Sequence, residues 1–141
     1  KKKKNSDLTI GIGSGALAAD DGTNTTVAIG KDALNDQTSG NFNCVVGVEA
    51  LSKATSSNQN AAFGIFAGKF NTGSSNVFVG YKAAAGSDGN SAGHNNVVIG
   101  EKALEDGQGA NNNVMIGYRA SRDGTDTENS VAVGSESSPA P

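Results

Sequence analysis

The chain has 141 residues, yet it holds no tryptophan, one cysteine, one methionine and two prolines, and aromatic residues make up only 5% of it. A single cysteine, Cys44, excludes an intrachain disulfide framework and a cysteine-rich metal site. No stretch approaches the ~20 consecutive apolar residues that span a membrane, and residues 1–10 contain no apolar run of the kind a secretory leader carries. The sequence therefore predicts no membrane insertion. Net charge is −3 with the four lysines at positions 1–4 included, so the remainder is more acidic still. That balance argues against nucleic acid as a partner. So few large side chains cannot fill a conventional globular core. Such a chain is either disordered or spreads its apolar residues thinly along a repetitive core.

The order of the residues decides for the second option. Glycines recur as anchors at Gly13, Gly30, Gly47, Gly64, Gly80, Gly100, Gly117 and Gly134, with spacings of 17, 17, 17, 16, 20, 17 and 17 residues. One residue before the anchor stand Ile12, Ile29, Val46, Phe63, Val79, Ile99, Ile116 and Val133. Three before it stand Ile10, Val27, Cys44, Ala61, Val77, Val97, Val114 and Val131. Four before it, asparagine fills five of the eight places, from Asn43 to Asn113. Three after it stands alanine in every repeat but the last, where Ser137 takes its place. Polar connections rich in Gly, Asn, Ser and Asp complete each unit.

The apolar, largely β-branched residues before each glycine read as a short strand, and the Asp-Gly, Ser-Gly and Thr-Gly pairs as turns. A 17-residue period is too short for a helix pair or a four-stranded propeller blade. It suits one coil of a parallel β-solenoid made of two short strands and two turns. The fold class is all-β, with eight coils of about 17 residues stacked at ~4.8 Å. Residues 1–7 form a basic polar tail, residues 8–137 the eight-repeat solenoid, and residues 138–141 a Pro-containing end. The asparagine column reads either as a ladder of side-chain amides joining successive coils or as a set of plain turn formers.

Side chains alternate along a strand. The larger flanking residues predict the coil core: Ile12, Ile29, Val46, Phe63, Val79, Ile99, Ile116 and Val133. Cys44 falls in the same inward set and reads as a small buried hydrophobe. The residue two before the anchor then points outward, and that column is Gly11, Ala28, Val45, Ala62, Phe78, Val98, Met115 and Ala132. None is polar, and a strand apolar on both faces is covered on both. A second copy of the chain is the economical cover, with Val45, Phe78, Val98 and Met115 at the seam. On this reading Val98→Asp separates chains before it unfolds coils.

The string Asn96-Val97-Val98-Ile99-Gly100-Glu101-Lys102-Ala103-Leu104 resembles the head repeats of trimeric autotransporter adhesins of the YadA type. Gly80-Tyr81-Lys82-Ala83 and Gly117-Tyr118-Arg119-Ala120 are similar to the repeats of phage tail fibres. The resemblance covers about residues 8–137. It implies a left-handed β-roll, a homotrimer and a structural or adhesive role. The expected setting is an extracellular virion fibre that contacts other fibre proteins and a cell-surface receptor or polysaccharide. The alternatives are a bacterial adhesin head on the outer cell surface and a self-assembling filament subunit. A monomeric ice- or polysaccharide-binding solenoid is disfavoured, because only Thr9 and Thr26 stand in the asparagine column.

The remaining motifs point away from catalysis. Gly11-Ile12-Gly13-Ser14-Gly15 mimics a dinucleotide loop but recurs in outline every repeat with no helix after it, so no cofactor is expected. Asp20-Asp21-Gly22, Asp88-Gly89, Asp106-Gly107 and Asp123-Gly124-Thr125-Asp126 read as turns, since their spacing fits no calcium loop. No Ser/His/Asp or Cys/His set is available, and a non-enzymatic protein is expected. His94, the only histidine, reads as an exposed loop residue, with a threefold metal site as the sharper alternative. It lies in the longest connection, where Ser87, Asp88, Asn90 and His94 are the candidate receptor contacts, because insertions in repeat proteins map to loops. Tyr81, Tyr118, Phe66 and Phe70 read as interchain packing, with sugar stacking as the alternative.

Overall fold

A computed structural model describes residues 9–21, 24–87, 93–107, 109–122 and 128–138. Lys1–Lys4, Asp88, Asn90, the Asp123–Asp126 turn and the Pro-containing end beyond residue 138 lie outside the described residues. Every repeat contributes one three-residue strand: β1 Ile10–Ile12, β2 Val27–Ile29, β3 Cys44–Val46, β4 Ala61–Phe63, β5 Val77–Val79, β6 Val97–Ile99, β7 Val114–Ile116 and β8 Val131–Val133. They form one parallel sheet in chain order. Register is kept throughout, including across the 16- and 20-residue units: Ala61 pairs with Val77 and Val77 with Val97. The molecule is a β-solenoid whose eight strands are joined by seven turns of the coil.

Among the described residues only one strand per coil forms, where the sequence suggested two. The opposite wall is built from residues with positive φ. Two residues after the anchor, Asp32, Glu49, Phe66, Lys82, Lys102, Arg119 and Glu136 have φ between 51° and 60°. Four after it, Leu17, Leu34, Leu51 and Leu104 have φ between 47° and 50°. A non-glycine residue in this region costs about 1–2 kcal/mol. The cost is offset because each kinked residue aims its amide at a neighbouring coil. Lys102 N donates to Tyr81 O below at 2.9 Å, and Leu104 N donates to Ala120 O above at 2.9 Å. Curling the chain this way closes a 17-residue coil while still pairing backbone groups that burial would otherwise leave unsatisfied.

The anchor glycines are required by contact between coils. Their φ lies between 127° and 149°, and a Cβ on Gly100 would collide with the carbonyl of Gly117 one coil further on. No L side chain fits there.

The core reverses the expected faces. The middle strand residues Ala28, Val45, Ala62, Phe78, Val98 and Met115 are completely buried. They pack with the alanines three residues and the leucines four residues after the anchors. The flanking residues expected inside face outward: Ile12, Phe63, Ile99 and Val133 are exposed, and Ile29, Val46, Val79 and Ile116 are half-buried. Cys44 is exposed as well. The reason is width. So tight a coil leaves room for one strand column between the strand and the opposite wall, and that column takes the position of variable size.

Asparagine shares the inward parity of the middle residue, two positions earlier. Asn43, Asn60, Asn76, Asn96 and Asn113 are buried and form the amide ladder. Asn96 Oδ1 accepts from Asn113 N at 3.0 Å and Asn113 Nδ2 at 3.1 Å, while Asn96 Nδ2 donates to Ala110 O at 2.7 Å. Each rung satisfies a strand-entry amide and a connection carbonyl that the coil buries.

Size is balanced between coils. Gly68 stands where four other repeats carry leucine, and the Phe78 ring fills the space it leaves. A Cβ on Gly68 would lie 2.5 Å from Phe78 Cδ2. Phe78→Val should therefore destabilise the fold by about 2–3 kcal/mol through the cavity it leaves. Gly68→Leu alone should also destabilise it, by overpacking. In the double variant the valine at 78 leaves room for the leucine at 68, and thermal unfolding should show it more stable than the summed losses by at least about 1 kcal/mol.

Candidate interaction surface

Because strand side chains alternate, burying the middle residue turns the first and last residues of every strand to the outside. All 24 strand positions are occupied by apolar residues, Cys44 or Gly11, with no charge among them. The outer face is consequently a continuous apolar strip. Its end coils are the most open: Ile12 is 57% and Val131 66% exposed. In the middle, each residue is partly shaded by its neighbours in the column. Val48, Ile65, Tyr81 and Tyr118, one residue after the anchors, widen the strip locally along one edge, where Lys31 and Glu101 stand in other coils, and Phe42, 66% exposed, widens it in one coil along the other. Monomeric proteins rarely leave apolar surface contiguous on this scale.

The other side of the rod carries charge, joined between adjacent coils. Lys69 pairs with Glu49 at 2.7 Å, Lys53 with Asp36 at 3.0 Å and Lys82 with Glu105 at 3.2 Å. The hydrogen bond from Lys82 to Glu105, and then the carboxylate's charge, hold the ammonium above the ordinary lysine range. Opposite charges stacked one coil apart suit a face that stays in water.

The residues singled out for the seam are not on this surface. Val45, Phe78, Val98 and Met115 are fully buried within their own coil and cannot touch a partner. The strip is formed instead by the set expected as coil core. The signal that could have distinguished the two was the asparagine column: an amide ladder must lie inside, and it shares parity with the middle residue.

The aromatic residues are engaged within the chain. Phe66 and Tyr81 have ring centroids 6.2 Å apart. The Lys69 ammonium lies 5.1 Å from both the Phe66 and Phe70 rings, and Arg119 lies 4.9 Å from the Tyr118 ring. These contacts are cation–π in kind, and the Lys69 cluster braces the unit that is one residue short. Of the candidate receptor-contact residues, Ser87 and His94 are exposed, while Asp88 and Asn90 lie outside the described residues. His94 Nδ1 accepts a hydrogen bond from Ser74 N at 3.0 Å. Among the described residues no group of three or more His, Cys, Asp or Glu converges, and no helix is long and apolar enough to cross a membrane.

Fold and surface together define a β-solenoid repeat protein with one apolar and one charged side. Comparison of the chain with protein-family models, curated proteins and solved structures returns no match.

The two faces of a strand make opposite demands, which adjacent residues can separate. Val98→Asp would place a charge inside the coil and should abolish the cooperative unfolding transition, since an unpaired buried charge costs several kcal/mol. Ile99→Asp, on the outer face, should leave the circular dichroism of the coil intact.

Proposed function

We propose that this chain is a segment of a rod-like fibre in which copies of the solenoid pack together through their outer sheet faces. The observation that carries this is the uncharged, exposed strip running over all eight strands. Seven steps of about 4.8 Å by the ~10 Å that three strand residues span amount to roughly 340 Å². A standard interface buries about 800 Å² on each partner, so the strip would supply the apolar centre of a contact and its more polar flanks the rim. Exposed parallel strands without charges are otherwise an aggregation hazard.

Three copies per fibre is the stoichiometry that the likeness to adhesin-head and tail-fibre repeats supports. With the apolar strips turned inward and the salt-bridged turns outward, a trimer leaves a charged, soluble surface. The role is mechanical and non-catalytic: to hold attachment surfaces away from a virion or, in the bacterial version of this reading, from a cell. The turns, Ser87 and His94 among them, are the parts that contact a receptor or polysaccharide.

Native mass spectrometry should give three chains per particle. In the assembled particle Cys44, which lies on the strip, should react with a maleimide at least about tenfold more slowly than in the Ile99→Asp variant. A monomer with a freely reactive Cys44 would refute the fibre, and polymers that lengthen with concentration would favour end-to-end filaments.

A further inference from the structure

We propose that His94 makes the junction between the fifth and sixth coils sensitive to protons. The basis is a second side-chain ladder, six residues before the anchors, that runs opposite to the asparagine ladder. In the asparagine ladder each backbone amide donates to the side chain one coil back, as Asn96 N does to Asn76 Oδ1 at 2.9 Å. In the second ladder each amide donates to the side chain one coil ahead. Asn41 N donates to Asn58 Oδ1 at 2.9 Å, Asn58 N to Ser74 Oγ at 3.0 Å, Ser74 N to His94 Nδ1 at 3.0 Å, and His94 N to Asn111 Oδ1 at 3.0 Å.

Four of these five side-chain positions, Asn41, Asn58, Ser74 and Asn111, are neutral groups that do not titrate near neutral pH. His94 instead brings an imidazole, whose ring carries either one proton or two. An imidazole accepts a hydrogen bond only through a nitrogen that carries no proton, so the rung requires the neutral ring with its proton on Nε2. Protonation puts an N–H on Nδ1, where it faces the N–H of Ser74, and the rung is lost. The groups bonded to His94 in the ladder, Ser74, Asn111 and Asn112, are all uncharged. Among the described residues the charged member of the column is Glu128, two coils ahead, whose Oε1 accepts from Asn111 Nδ2 at 3.4 Å. Among the described residues His94 takes part in no ion pair.

The effect is confined to this rung. The strand pairing of β5 with β6 and the bond from Asn95 N to Ser74 O at 3.1 Å do not involve the imidazole. Acid therefore loosens the entry to the sixth coil, beside the longest connection, without dismantling the stack.

Nitrogen-15 NMR of the full chain tests this. At pH 8 the His94 side chain should show the Nε2–H tautomer. Between pH 8 and pH 5 the exchange protection of the Ser74 amide, corrected for the intrinsic pH dependence, should fall about fivefold, the loss expected for one hydrogen bond. The Asn41 amide, bonded to Asn58, should keep its protection. His94→Asn restores the acceptor found elsewhere in the column and should hold Ser74 protected at both pH values. An Nδ1–H tautomer at pH 8, unchanged Ser74 protection in the parent chain, or an equal fall in His94→Asn would each overturn the proposal.

Discussion

The close approach of successive backbones at the anchor glycines governs the rest of the structure. With each glycine resting against the carbonyl of the next, the coils can stack only in register. Registered stacking brings every position against its own counterpart one strand spacing away. Whatever side chain occupies a position must then be compatible with a column of its own kind. Amides satisfy this by bonding to one another, alanines by being small, and several charged residues by pairing with an opposite charge one coil away, as Lys69 does with Glu49 and Lys53 with Asp36. The positive-φ residues follow from the same constraint, since they let a short coil close while its amides still reach the coils on either side.

A coil this narrow has an interior one strand column wide. Its largest occupant, Phe78, fits because Gly68 yields the space. The 16- and 20-residue units show what the stack tolerates. Changes of length are absorbed in the turns, while the strand register passes through unbroken. Stability is thus distributed over nearest-neighbour coil contacts, with each buried amide rung contributing both a bond and the avoidance of an unsatisfied group. The same narrowness pushes the larger β-branched residues outward, and this gives the rod an apolar side. A surface of that kind is a liability in isolation and an interface in an assembly.

Much of this was legible in the residues. The anchors at Gly13 to Gly134 carry the parallel stacking, the strand positions and the number of repeats. The asparagine column left a ladder and plain turn formers open, and Asn43 to Asn113 form the ladder. The facing of the strands was misread, because size and β-branching made Ile12, Ile99 and their column look like core. Hydrophobicity cannot assign faces when both faces are apolar, and only the parity shared with asparagine would have broken the tie. The His94 ladder was missed because its members, Asn58, Ser74 and His94, have no common residue type. They share only an acceptor atom at one place in the coil.

By itself the sequence determined that the chain repeats, where each repeat begins and that the repeats stack as parallel strands. Periodicity is a property of order along the chain, and backbone hydrogen bonding translates it directly into a solenoid. Which residues are enclosed, which form the outer strip and which atoms make the rungs were decided only in three dimensions. Those outcomes depend on the radius to which the coil closes. That radius is set jointly by the glycine contacts, the left-handed kinks and the small alanines, and by no single residue.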